Sequence, residues 1–96
     1  MLLEIDSLRT HFKVDDGVYA RAVDGISLGV EAGRTVAVVG ESGCGKSQTA
    51  FSIMRLLEGN GFHPEGSSIR FEGEDLLAKT DEEMQKIRGN RIAMIF

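Results

Sequence analysis

The stretch Val38–Ala50, VVGESGCGKSQTA, decides how the rest of the chain is read. Three glycines, a lysine and a serine stand between an apolar, β-branched run, Thr35–Val39, and a run with apolar residues at Ala50, Ile53, Met54 and Leu57. This continuous run, four apolar residues after Thr35, predicts a strand buried on both faces of a parallel sheet. The spacing after the glycines predicts a helix, stopped by Gly59, Asn60 and Gly61. The order is therefore strand, glycine-rich loop, helix.

Gly40, Gly45, Lys46 and Ser47 satisfy G-x-x-x-x-G-K-[ST] in the strand-to-helix setting that this pattern requires. Glycine lets backbone N–H groups turn inward around a phosphate without side-chain obstruction, and the helix N-terminus adds partial positive charge. The expected cradle runs through Gly40, Glu41, Ser42, Gly43, Cys44, Gly45, Lys46, Ser47 and Gln48. Lys46 is the expected catalytic residue, meeting the β- and γ-phosphates, and the Ser47 hydroxyl is the expected ligand of Mg²⁺. A dinucleotide-binding loop is the nearest rival, because Gly43-Cys44-Gly45 starts G-x-G-x-x-G. Gln48 stands where that fingerprint needs Gly or Ala, so it fails. Cys44 lies near Lys46 and a helix start, a setting that lowers a thiol pKa. With no partner base visible, it reads as structural.

Upstream, Leu3 and Ile5 alternate with Glu4 and Asp6, and the run reaches Phe12 before Asp15, Asp16 and Gly17 signal a turn. Ile26, Leu28 and Val30 share one face of a second alternating run, and the two runs predict an antiparallel pair. Downstream, Ile69 and Phe71 predict a short strand closing at Gly73. Thr80 with Glu83 makes a capping box that opens a helix through about Arg88. Asp81, Glu82 and Glu83 read as first-turn acids complementing the helix dipole rather than as catalytic carboxylates. Ile92–Phe96 is a second all-apolar run, predicting another buried strand.

The chain has 96 residues, 42% hydrophobic and 27% charged, with no repeats or low-complexity linkers. A net charge of −4 argues against nonspecific nucleic-acid binding, which needs a basic face. One cysteine excludes an internal disulfide, and His11 and His63 stand alone rather than at metal-ligand spacing. No apolar run is long enough for a membrane span, and MLLEIDSL has no signal-like character, so a cytosolic location is expected. A buried parallel strand needs neighbours on both edges and helices on both faces. Two such strands and two helices do not supply these, so residues 1–96 are expected to be the front of one larger, incomplete α/β domain.

GESGCGKS resembles the Walker A loop of ABC transporter ATPases, and the similarity extends through AVDGISLGVEAGRTVAVVG, SIRFEGEDL and IRGNRIAMIF. Glu41 and the terminal NRIAMIF are similar to the oligopeptide and dipeptide importer group. The resemblance implies a P-loop NTPase core of ABC type, truncated after its first strands and helices, with an antiparallel β subdomain at the N-terminus. It further implies ATP and Mg²⁺ as ligands, membrane permease subunits and a homologous ATPase subunit as partners, and a peripheral place on the cytoplasmic face of the membrane. An adenine-stacking aromatic is implied at Phe12, with Tyr19 the other candidate. Gln48 departs from the family's commoner Thr, where the backbone N–H is the phosphate contact. The acidic strand end, signature loop and switch histidine of such ATPases fall outside these residues, so the 96-residue piece alone is expected to be inactive. Another P-loop enzyme, such as a kinase or GTPase, and a nonenzymatic nucleotide-binding module are the alternatives.

Overall fold

The computed structural model describes residues 1–39, 45–57 and 59–95. Leu3–Asp15 (β1) and Val18–Val30 (β2) form an antiparallel hairpin closed by Asp16 and Gly17, as the turn signal predicts. Gly17 has φ +70°, backbone that a two-residue hairpin turn favours. Pairing runs from Leu3 opposite Val30 to Asp15 opposite Val18, with four register shifts. At the first, β1 takes three steps from Ile5 to Leu8 while β2 takes two from Leu28 to Ile26. The extra residue is accommodated at Ser7, which has φ +50° and donates its N–H to Ser27 Oγ at 2.9 Å. This bulge lets Ile5 and Leu8, three residues apart, both face the core. Simple alternation does not predict that.

The expected second strand begins at Ile26, whereas β2 begins at Val18. Between Val18 and Gly25 only Val23 is buried, and Tyr19, Arg21 and Asp24 are exposed. Those residues carry no apolar period, and their strand geometry comes from the ladder to β1.

The helix Lys46–Met54 (α1) follows the glycine loop. It stops before Leu57 because Arg55 takes a left-handed conformation, φ +56°, and Leu56 N–H bonds back to Phe51 O at 2.9 Å. Its buried residues are Thr49, Ser52 and Met54, while Ala50 and Ile53 of the expected apolar face are only half-buried.

The second edge of β1 is shared by two strands. Gly61–Phe62 (β3) pairs at Phe12 and His11, and Ser68–Phe71 (β4) pairs across Leu3–Asp6. In the interval between them Arg9 N–H donates to Ser67 Oγ at 2.9 Å. Arg9 O accepts from Ser67 Oγ at 3.3 Å and from His63 Nδ1 at 3.1 Å. β4 turns through Gly73 into Glu74–Asp75 (β5), giving the order β2-β1-β4-β5. A 3₁₀ turn, Leu76–Ala78, leads to the helix Asp81–Ile87 (α2). Ile5, Leu8, Val23, Ile69, Phe71, Leu76, Met84 and Ile87 make one core between sheet and α2. Arg91 fastens the β4–β5 turn from outside, donating to Glu72 Oε2 and Glu74 Oε2 at 2.9 Å each.

The two runs expected as parallel strands stand differently. Thr35–Val39 enters no ladder, and Val36, Val38 and Val39 are exposed. In Ile92–Phe96 only Ile92 forms a bridge, to Arg88; Ile95 is exposed and Phe96 lies outside the described residues. A parallel strand is held by hydrogen-bonded neighbours, and none of the described segments pairs along either run. The antiparallel β subdomain is therefore present, while the parallel sheet expected of the α/β core is not among the described ladders.

Candidate functional site

The site is built from Gly45 outward. This residue has φ +95°, and a Cβ there would stand 2.5 Å from the Ala22 carbonyl oxygen of β2. Both the backbone conformation and the close approach to β2 exclude a side chain. Gly45 also forms the N-cap of α1. Its carbonyl accepts the first helical bond, from Thr49 N–H at 2.9 Å, and a second from Thr49 Oγ1 at 2.8 Å. No side chain caps this helix and no acidic residue occupies its first turn. The N–H groups of Lys46, Ser47 and Gln48 therefore project from the positive end of the dipole without a carboxylate from their own turn to answer them.

The flank of α1 rests on β1 through hydroxyls. Ser52 Oγ, fully buried, donates to Gln48 O at 2.7 Å and lies 2.7 Å from Thr10 Oγ1, also fully buried. Thr10 Oγ1 is 3.3 Å from His63 Nδ1. Because Arg9 O can only accept, the proton sits on His63 Nδ1, and the donors run one way: His63 to Arg9 O and Thr10, Thr10 to Ser52, Ser52 to Gln48 O. Burial holds the His63 pKa below the ordinary histidine value, against the bond to Arg9 O, with the Arg55 charge acting in the same direction as burial. The seam thus keeps a neutral imidazole.

The far end of α1 is held by arginines. Arg88, which ends α2, donates from Nε to Met54 O at 2.7 Å and from Nη2 to Arg55 O at 2.8 Å. Arg55 in turn donates from Nη1 to Leu76 O and Lys79 O, with Nη2 3.7 Å from Asp81 Oδ1. A groove of about 390 Å³ is lined by Leu28, Val30, Val36, Val38, Ile53 and Met94 together with Lys46 and Ser47.

Of the expected site residues, Gly45, Lys46, Ser47 and Gln48 are brought together at the start of α1, with Ser47 exposed. Gly40, Glu41, Ser42, Gly43 and Cys44 lie outside the described residues. Phe12 is half-buried on β1, opposite Ala20 and Gly61. Tyr19 packs edge-on against Phe62 with ring centroids 5.6 Å apart. Sequence reasoning does not find Thr10, Ser52, His63, Arg55 or Arg88. The one available signal is a pair of hydroxyls at 49 and 52, three apart on a helix face.

The bare glycine cap suits an anion, and the exposed Ser47 hydroxyl is the hard oxygen that Mg²⁺ accepts. Among the described residues no three His, Cys, Asp or Glu side chains cluster to hold a metal. The Ser47 hydroxyl fits Mg²⁺ held jointly with phosphate oxygens.

Residues 23–96 match the family described as ABC transporter. The chain belongs to the ABC transporter family. That membership makes the core a P-loop NTPase of ABC type and does not favour the kinase and GTPase alternatives. Among its relatives, the chain is 45% identical over 96 residues to a probable peptide ABC transporter ATP-binding protein, y4tR, of Sinorhizobium fredii. That match covers 100% of this chain and 28% of the relative. It is 48% identical over 95 residues to the oligopeptide transport ATP-binding protein OppD of Haemophilus influenzae, covering 99% and 28% respectively. To the oligopeptide transport ATP-binding protein AppD of Bacillus subtilis it is 44% identical over 96 residues, covering 99% and 29%. The chain thus spans less than a third of the length of these curated relatives.

Proposed function

We propose that residues 1–96 are the front portion of a single ABC-type ATP-binding domain, truncated after its first strands and helices. In its full-length form this domain binds ATP with Mg²⁺ and hydrolyses the nucleotide to drive peptides or similar small solutes through partner permease subunits. The relatives' greater length supports the first part, and their names support the peptide class. The observation that carries the reading is the glycine-capped, acid-free start of α1 with Lys46 and Ser47 in its first turn.

In this reading the N–H groups from Gly40 to Gln48 orient the phosphates, and Lys46 neutralises charge on the β- and γ-phosphates as the γ-phosphoryl departs. Charge and donors organised in advance are most of what phosphoryl transfer asks of a protein. Mg²⁺, held by Ser47, supplies further charge neutralisation when bound. Gln48 contributes its N–H, and its carbonyl is taken by Ser52. Phe12 stacks on adenine. A second, homologous ATPase subunit completes the site, and nucleic acid is not a partner of a chain with net charge −4. The reading places the subunit peripherally on the cytoplasmic face of the membrane; among the described residues no helix is long and apolar enough to cross a membrane.

ATP titration of the full-length protein tests this. Lys46→Ala should abolish binding; affinity within about threefold of wild type, under roughly 1 kcal/mol, would sink the assignment. In the same titration Phe12→Ala should weaken binding by about 1–2 kcal/mol, the range of aromatic–base stacking. A larger loss from Tyr19→Ala would move that role to Tyr19.

A further inference from the structure

We propose that Arg88 is a positioning residue for the phosphate-binding helix, aligning α1 from its far end so that Lys46 and Ser47 meet the phosphates. The inference rests on the phosphate role proposed for α1 above.

A helix of nine residues is too short to be stable by itself, so its place is set by what touches it. At its N-terminus Gly45 offers no side-chain cap. Along its flank the polar contact with β1 is the buried pair Ser52–Thr10, two rotatable hydroxyls, beside the half-buried Ile53 that packs against the core. At its C-terminus, by contrast, the Arg88 guanidinium takes two consecutive carbonyls, Met54 O at 2.7 Å and Arg55 O at 2.8 Å, from two different nitrogens. A planar fork bonded at two points fixes direction as well as distance, which a single ammonium cannot do. The cation also meets the negative end of the helix dipole.

The anchor is itself anchored. The Arg88 backbone closes α2 through its N–H to Met84 O at 2.9 Å and bridges Ile92. Arg55, whose carbonyl Arg88 holds, reaches the opposite way to Leu76 O, Lys79 O and Asp81. Arg88 thus holds carbonyls at the end of α1 while Arg55 holds carbonyls of the turn that leads into α2, so the end of α1 is tied to both ends of α2. Nine residues at about 1.5 Å each make α1 a lever of about 13 Å, so a tilt of roughly 10° at the Arg88 end displaces Lys46 by about 2 Å. Misplacement by even about 1 Å can cost two orders of magnitude in rate.

The test uses the full-length protein with Arg88→Gln and Arg88→Lys. It measures ATP affinity, kcat per titrated ATP site, melting temperature, and amide exchange at Thr49 and Ala50. Arg88→Gln should lower kcat per site by roughly tenfold or more, weaken ATP binding without abolishing it as Lys46→Ala does, and speed exchange at Thr49 and Ala50. Arg88→Lys, which retains the charge and one hydrogen bond, should recover part of the rate. A melting temperature that falls while kcat per site stays within about twofold of wild type would reduce Arg88 to a structural role and overturn the proposal. Equal rates for the Gln and Lys variants would overturn the two-point argument. If Arg88→Gln does not fold, Arg88→Lys decides alone: a wild-type rate and exchange pattern counts against the proposal. Lys46→Ala with unchanged ATP binding would defeat the phosphate reading, and the exchange data would still decide whether Arg88 aligns α1.

Discussion

The two α-helices among the described residues begin in opposite ways. At α2, Thr80 Oγ1 accepts from Glu83 N–H at 3.2 Å, Glu83 Oε1 accepts from Thr80 N–H at 3.0 Å, and three acids fill the first turn. That helix start is answered by its own side chains. At α1 the cap is glycine, the first turn has no acid, and Lys46 adds positive charge. One start is organised for its own stability; the other has neither a side-chain cap nor a first-turn acid, a setting that suits an anion.

The largest effect expected from this contrast is at Gly45. Gly45→Ala in the full-length protein should cost about 3 kcal/mol, from left-handed backbone strain plus the clash with Ala22 O, and should remove ATP binding with it. A urea midpoint equal to wild type would mean that the loop does not need its bare backbone. Smaller is Thr80→Ala, which should cost about 1 kcal/mol for the lost cap and leave ATP affinity unchanged. A change in affinity would show that the two starts are not functionally distinct.

Smallest is the difference in acid sensitivity. His63 has a lowered pKa, chiefly from burial. The unfolded chain therefore binds the proton more readily, and stability at the seam is lost as pH falls below about 6.5, the ordinary histidine value. Glu83 is also lowered, first by the Thr80 N–H bond. Its contribution is complete above the ordinary carboxyl value of about 4.3 and is lost as pH falls through its lower folded value. Exchange protection at Ser52 should drop between pH 7 and 5 while that at Glu83 holds, and His63→Gln should abolish the drop at Ser52. Simultaneous loss at both helices would erase the distinction.

The parts legible in sequence are those fixed by neighbours along the chain. Thr80 and Glu83 are three residues apart and cap each other; Asp16-Gly17 makes its own turn; Lys46 and Ser47 directly follow the glycine that starts their helix. What escaped depends on distant partners. The first half of β2 has no apolar period because bulges and the ladder to β1 set its geometry. Spacing selects Ala50, Ile53 and Met54 for the inner face of α1, and Met54 is buried, but Thr49 and Ser52 are buried in place of Ala50 and Ile53, since hydroxyls that satisfy Gly45 O, Gln48 O and Thr10 go inside as readily as methyls. Val36 and Val38 have the composition of a buried strand, yet composition supplies no partner, and both are exposed among the described residues.

One interval of β1 carries a different consequence. Where β3 stops short of β4, Ser67 and His63 occupy the main-chain groups of Arg9. A bare stretch of sheet edge is a template on which a foreign chain can add itself as a strand. Two side chains here stand in for the missing rungs, so a guest strand would have to displace both before it could register. Protection from self-association at this edge therefore comes from a serine and a histidine rather than from more sheet.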